Sequence, residues 1–327
     1  MLKKFMKKVR MNLQIDWAYR QDCIEYKRWQ YNNSNIKTKD ALEAKILRQT
    51  HVIEKGMSIE KPKKCFGVQK VSDLFSYIQD YVGCGYEIEE SLPVLNAIEA
   101  IGCYLNFHKN RGFEPQDLIQ KYEKIKLLYQ SSEQVNAGTT SLNKRELDKN
   151  IHGEFPEFFR SRHSIRQFSD VQIKEEDVKK AVSLAMYAPS ACNRQPCKVY
   201  FYKDIYINQK LSQEIAGNTG FGDDVKNYLV ITSNISAFYD AFERNQVYVD
   251  GGIFTLALVE ALHYYGIASC ILQNGERKKK NVKFKQICGN IPENEKIILF
   301  IAIGYYKEKF ECAASQRKKL DEYLKIK

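Results

Sequence analysis

Two short polar motifs joined by one helical span, all within residues 160–197, restrict this chain more than any other feature. In the first, Arg162, Ser164 and Arg166 occupy alternate positions, so an extended segment points all three side chains to one side. Two guanidinium forks flanking a hydroxyl suit a phosphate or another oxyanion, because arginine places a permanent charge on planar, bidentate donors. The spacing that follows predicts a helix. Val178, Val182, Ala185 and Met186 share one face, Glu175, Glu176 and Asp177 fill the first turn where acids favour the helix dipole, and the pattern stops at Ala188-Pro189. The second motif, Pro189-Ser190-Ala191-Cys192-Asn193-Arg194-Gln195-Pro196, is a polar loop between two prolines. Its small residues let backbone come close to a ligand, and the Asn193 and Gln195 amides can donate and accept at the edge of a planar heterocycle.

Strand and helix signals alternate after the second motif. Residues 198–202 and 228–232 are short β-branched and aromatic runs, and residues 297–303 form a continuous apolar run that predicts a buried central strand. Between the last two, Val249-Asp250-Gly251-Gly252 leads into a helix containing Phe254, Leu256, Leu258, Val259 and Leu262. It is nearly apolar all round, which predicts burial in a core or at a subunit interface. It ends at Gly266, and residues 267–272 read as a further strand.

The combination Arg162-His163-Ser164-Ile165-Arg166, about twenty residues of helix and Ala188-Pro189-Ser190-x-x-Asn193-x-Gln195-Pro196 resembles the nitroreductase family of FMN-dependent oxidoreductases, over about residues 155–325. The resemblance implies an α+β fold, a central mixed sheet flanked by helices in a homodimer with its flavin at the subunit interface. It implies that Arg162, His163, Ser164 and Arg166 of one subunit hold FMN, while Pro189, Ser190, Ala191, Asn193 and Gln195 of the other pack on it. It places Ile271, Leu272, Gln273 and Asn274 beside the flavin N5 and pyrimidine edge, and Arg317, or else Lys318, on its phosphate. Arg166 is the expected cation for reduced flavin N1, and no protein residue is expected to be an essential catalytic acid or base. Phe242, Arg244, Asn245 and Tyr248, ahead of the apolar helix, are positional candidates for the substrate pocket. One departure is Cys197, which stands where the family's loop carries tryptophan.

The first 145 residues fall outside the resemblance and read as an all-helical region. Helical patterns cover residues 38–61, with Thr38 or Asp40 as N-cap and Gly56 near the end, then about 71–84, 91–109 and 115–130. His51 and Glu54 are one turn apart, a spacing that suits acid-base or metal work but is more often a structural hydrogen bond. Leu2, Phe5, Met6, Val9 and Leu13 recur at helical spacing among basic residues; a terminal helix docked on its own domain is favoured over one lying on a membrane. The polar segment 131–150 marks the boundary, giving a helical region at 1–145 and an FMN-binding domain at 151–327.

Composition narrows the function classes. The net charge of +11 comes from basic residues interleaved with 40 acids, which favours a solvated basic surface over a nucleic-acid stripe. Nine cysteines at irregular spacings, with no C-x-x-C and no H-E-x-x-H, argue against a disulfide framework and a zinc site. No apolar run reaches the length of a membrane span, so stable membrane insertion is not expected and a reducing cytoplasm is the default compartment. The leading expectation is an FMN-dependent oxidoreductase moving hydride from NADH or NADPH to a small organic acceptor by a ping-pong cycle. Its alternative is a flavin-binding redox sensor or scaffold without turnover, in which the helical half is the working part. Cys192 lies in the loop and Cys197 directly follows it, and a thiol relay to flavin is the less favoured reading beside two small packed side chains.

Overall fold

Periodic apolar residues in the N-terminal half build helices, as their spacing predicts. The computed structural model describes residues 2–29, 37–128, 135–275, 278–289 and 291–327. It divides into two units, Asp22–Ser141 with Glu311–Lys327, and Met1–Gln21 with Leu142–Phe310. Residues 129–130 of the last predicted helix and 131–134 of the polar boundary segment lie outside the described residues. Helix α1 (Leu2–Trp29) is not docked as expected: Phe5, Met6, Leu13 and Trp17 are 63–65% exposed, and among its described side chains Ala18 alone is buried.

Four helices pack the helical unit: α2 (Lys39–Met57), α3 (Val68–Gly83), α4 (Leu92–Lys109) and α5 (Gln116–Lys126). Thr38 caps α2 by accepting from the Ala41 amide at 3.4 Å, and Ser91 caps α4 by accepting from Val94 at 3.3 Å. Ile46, Ile53, Leu74, Ile78, Leu95, Ile98 and Ile101 meet in one core, and each such side chain contributes about 1.5–3 kcal/mol through burial. Gly56 does not cap α2, which continues to Met57. A Cβ there would lie 2.2 Å from the Phe66 ring, so the glycine makes room for an aromatic side chain. Glu54 turns inward, 1% exposed, and accepts from the amides of Gly138 at 3.1 Å and Ser315 at 3.3 Å.

The second unit is built on a sheet. After β1 (Thr139–Asn143), α6 (Lys144–Ile151), α7 (Phe155–Ser161) and α8 (Glu175–Ala185), the chain forms β2 (Cys197–Tyr202), α9 (Ile205–Glu214), β3 (Asn227–Asn234), α10 (Gln246–Tyr264) and β4 (Ile267–Gln273). Then come α11 (Lys278–Cys288), β5 (Glu295–Tyr305) and β6 (Lys309–Ala313), whose last three residues return to the helical unit, where α12 (Leu320–Tyr323) also lies. Four strands lie in the order β2-β3-β5-β4, all ladders antiparallel, and a parallel bridge between Ser164 and Ser269 makes the arrangement mixed. β1 and β6 form a separate pair.

Period-two alternation gives the sheet two apolar faces. Leu229, Ile231, Ile301 and Ile303 pack with Val178 and Ala181 of α8 and Leu258 and Leu262 of α10. Tyr228, Val230, Phe300 and Ala302 pack on the other side with Leu211 of α9 and Phe284 of α11. β5 is the buried central strand that its apolar run predicts. α10 starts at Gln246, earlier than its sequence signals, so Asp250 and two glycines lie inside it. A Cβ on Gly251 would come within 2.9 Å of Ile298, so this glycine lets α10 lie close on β5.

Burial raises the Glu54 carboxyl to about 7 against the effect of its two amide donors. The folded unit therefore holds a proton that the unfolded chain, at an ordinary 4.5, has released, and stability falls as pH rises from that value toward 7. Glu54→Gln removes the titration but keeps only one of the two acceptors, because its Nε2 cannot accept from an amide. The fall in melting temperature between pH 4.5 and about 7 that the wild type shows should therefore be lost in the variant, in thermal unfolding followed by circular dichroism.

Candidate functional site

The arginine-serine segment leaves α7 in extended conformation at Arg162 and is registered on the sheet at once. The Ile165 amide donates to the Ser269 carbonyl of β4 at 2.9 Å, beside the bridge of Ser164 to Ser269. Further on, Phe168 bridges Tyr306 and fills the space that Gly304 leaves, where a Cβ would fall 2.6 Å from its side chain. The three polar side chains part company. Arg162 Nε donates to Glu260 Oε1 of α10 at 3.1 Å, whereas Arg166 is buried and donates from one terminal nitrogen to the Ser164 carbonyl at 3.3 Å. His163 and Ser164 are half-buried.

His263, one turn beyond Glu260 on α10, fixes the root of this segment. The Ser161 hydroxyl donates to the Phe158 carbonyl at 2.8 Å, so it accepts from His263 Nε2–H at 2.8 Å, and Nδ1 then accepts from the Tyr306 hydroxyl at 2.8 Å. Burial, with Arg162 close by, pushes the imidazole down to about 3. It stays neutral and acts as a two-ended hydrogen-bond post.

The proline loop is anchored at the other end of α10. The Ala191 amide donates to both oxygens of Asp250, at 3.3 and 3.2 Å, and Asp250 also accepts from Gln246 Nε2 at 2.7 Å. Arg194 forms a two-pronged pair with Glu243 at 2.9 and 2.7 Å, and its Nε returns to the Ala191 carbonyl at 2.9 Å. That pair, with the Tyr239 amide, draws the Glu243 carboxyl down to about 2. Cys192, Asn193 and Gln195 have φ of 50°, 54° and 49°, left-handed values that asparagine tolerates but that are costly for Cys192 and Gln195. Gln195 is held inside the loop: its amide donates to Ser190 Oγ at 3.0 Å and its side chain donates to Asn193 Oδ1 at 3.2 Å. Pro189, Ser190, Gln195, Lys198, Asp250 and Phe254 border a cavity of about 430 Å³.

The sequence-predicted residues thus fall into separate groups. Ser164, Leu272 and Gln273 share β4 or its edge, with Leu272 buried and Gln273 exposed; Pro189, Ser190, Ala191, Asn193 and Gln195 form the loop. Phe242 is 87% exposed, Arg244 donates to the Ala241 carbonyl at 3.0 Å, Asn245 precedes α10 and Tyr248 lies within it under Lys296; none of the four borders the cavity. Arg317 is exposed and Lys318 pairs with Glu43 and Glu322, both in the unit that contains Glu311–Lys327. Cys192 is exposed, whereas burial lifts the Cys197 thiol to about 11 and keeps it protonated near neutral pH. No group of three or more His, Cys, Asp or Glu among the described residues is placed to hold a metal ion.

Sequence reasoning missed Asp250, Glu260, His263, Glu243 and Arg194. A signal was present for the first three, because charged or polar side chains on a helix otherwise apolar all round require buried partners. Asp250→Ala should free the Ala191 amide. Hydrogen exchange at residues 190–195 should quicken, while the β3 and β5 amides keep their protection.

The model of the Nitroreductase family matches residues 159–227, a span holding both motifs. A protein of Archaeoglobus fulgidus, provisionally named an NADH dehydrogenase/NAD(P)H nitroreductase, is 30% identical over 154 residues, covering 45% of this chain and 83% of that protein. Among solved structures, a nitroreductase family protein of Streptococcus pneumoniae is 22% identical, with 53% of this chain and 100% of that one covered at a TM-score of 0.45. A provisionally named nitroreductase of Desulfovibrio desulfuricans, crystallised in complex with FMN, is 21% identical, with 54% and 98% covered at a TM-score of 0.45.

Proposed function

Since this chain belongs to the nitroreductase family, we propose that it is an FMN-dependent oxidoreductase that uses NADH or NADPH to reduce a small organic acceptor in a ping-pong cycle. The donor set fits the cofactor. The Ser164–Ser269 bridge lies four residues before Gln273 on β4, which at the strand rise is roughly 13 Å. This registration supports reading the arginine-serine segment and the strand end as two parts of one site, at a separation suited to a ligand with a phosphate at one end and a planar ring at the other. That registration on one rigid strand is the observation that carries the reading.

FMN, when bound, supplies the hydride chemistry. The chain's own residues bind and orient. Arg162 and Ser164 would meet the phosphate and ribityl oxygens, and Arg166, buried near the same strand, would offset negative charge on the reduced ring. Asn193 and Gln195, fixed by the loop's internal hydrogen bonds, would border the ring and limit what stacks on it. No protein acid or base is assigned, since donor and acceptor would use one cleft in turn. All nine cysteines are free, which suits a reducing cytoplasm, and no helix among the described residues is long and apolar enough to cross a membrane.

The placement of the two groups along α10 supports reading the protein as a homodimer. Asp250 anchors the loop and Glu260 the arginine segment, ten residues or roughly 15 Å apart on the helix. Two copies packed with antiparallel α10 helices would bring the loop of one toward the arginines of the other. Val249, Ile253 and Leu256 give α10 an exposed apolar stripe of 50%, 39% and 51% for that purpose.

Purified protein supplied with FMN and freed of unbound flavin by gel filtration should stay yellow and should bleach on anaerobic addition of NADH or NADPH, with colour returning on addition of an acceptor. Retained colour without bleaching would instead favour a sensor. Arg162→Ala should weaken FMN tenfold or more in a fluorescence titration, since a hydrogen bond to a charged group contributes on the order of 1.5–3 kcal/mol. Leu256→Lys should sediment as a monomer and lose FMN with it; a wild-type monomer of full activity would remove the shared-site arrangement.

A further inference from the structure

Arg162, the residue nearest to an anion-binding role, already has a carboxylate. Its Nε meets Glu260 Oε1 at 3.1 Å, with the arginine side chain 22% exposed and the glutamate 14%. The other oxygen, Oε2, is buried and has no hydrogen-bond partner. The contact uses Nε, so the two terminal nitrogens of the guanidinium lie outside it. Resting on the flavin reading above, we propose that Glu260 is an internal anion that competes with the cofactor phosphate for Arg162 and thereby sets how tightly phosphate-bearing flavins are held.

The competition follows from what can and cannot move. Glu260 sits on α10 between buried Val259 and Ala261, so its backbone cannot withdraw without disturbing the core. Ser161, next to Arg162, is pinned by His263 at 2.8 Å, so the arginine cannot swing its root away. A phosphate reaching the terminal nitrogens of Arg162 therefore brings its charge within a few ångströms of a carboxylate that is itself poorly satisfied. Burial already disfavours that carboxylate's charge, against the pull of Arg162. Sharing the guanidinium with a second anion weakens its hold further, and one of three things must follow: Glu260 rotates toward solvent, takes up a proton, or stays at a cost in ligand affinity. Each of these taxes a flavin that carries phosphate and spares one that does not. In the ligand-free protein the same carboxylate stabilises Arg162, so its removal acts with opposite sign on the two states.

A carboxylate that merely aligned Arg162 would behave differently, because its loss would weaken the phosphate contact. The test titrates wild type, Glu260→Gln and Glu260→Leu with FMN and with riboflavin, and melts each protein without ligand. We expect both variants to bind FMN about tenfold tighter, on the scale of one partly screened charge contact. Riboflavin affinity should be unchanged and the ligand-free melting temperature lower. Unchanged or weaker FMN binding in the variants overturns the proposal, as does equal tightening of riboflavin. If wild type and variants alike bind neither flavin, the cofactor reading fails and this proposal falls with it.

Discussion

Carboxylates on one apolar helix hold both candidate ligand-binding segments. Asp250 near the start of α10 accepts from the loop amide of Ala191, and Glu260 near its end accepts from Arg162, with His263 steadying Ser161 just beyond. Charges in so apolar a setting are tolerable because each is bonded to backbone or to a cation. α10 is itself fixed by Leu258 and Leu262 against the sheet and by the absence of a side chain at Gly251. The positions of the arginine segment and the loop are therefore set by core packing.

This arrangement explains how polar, partly exposed segments can be precise. Neither has much apolar surface of its own. The arginine segment borrows order from β4 through Ser269 and from β5 through Gly304, where Phe168 rests. The loop borrows it from Asp250 and from the paired Arg194 and Glu243. Groups held this way meet a ligand without first losing their freedom, which is the main cost that a flexible site would bear on binding.

Much of this was legible in the sequence, and the remainder was hidden for identifiable reasons. The strands at 198–202, 228–232, 267–272 and 297–303 were readable because their side chains face buried layers on one or both sides, and the helices because their apolar residues recur at helical spacing. Thr38 could be read as a cap since its role is local. The role of Gly56 could not, because it depends on Phe66, ten residues away, and the same holds for Gly251 and Ile298. The i,i+3 spacing of His51 and Glu54 could not reveal that the oxygens of Glu54 meet the amides of Gly138 and Ser315, far along the chain. Likewise, alternation predicted one shared direction for Arg162 and Arg166, and a glutamate almost a hundred residues downstream draws the first aside.

The left-handed conformations of Cys192, Asn193 and Gln195 bear on how this protein would respond to engineering. Asparagine tolerates that region better than other residues with a Cβ, so Cys192 and Gln195 bear most of the cost, about 1–2 kcal/mol each. Glycine would relax each position and raise thermal tolerance, yet it would surrender the Asn193 and Gln195 amides and the stiffness that aims them. Selection for heat resistance alone should thus drift toward glycine at these places and yield a sturdier, less discriminating protein.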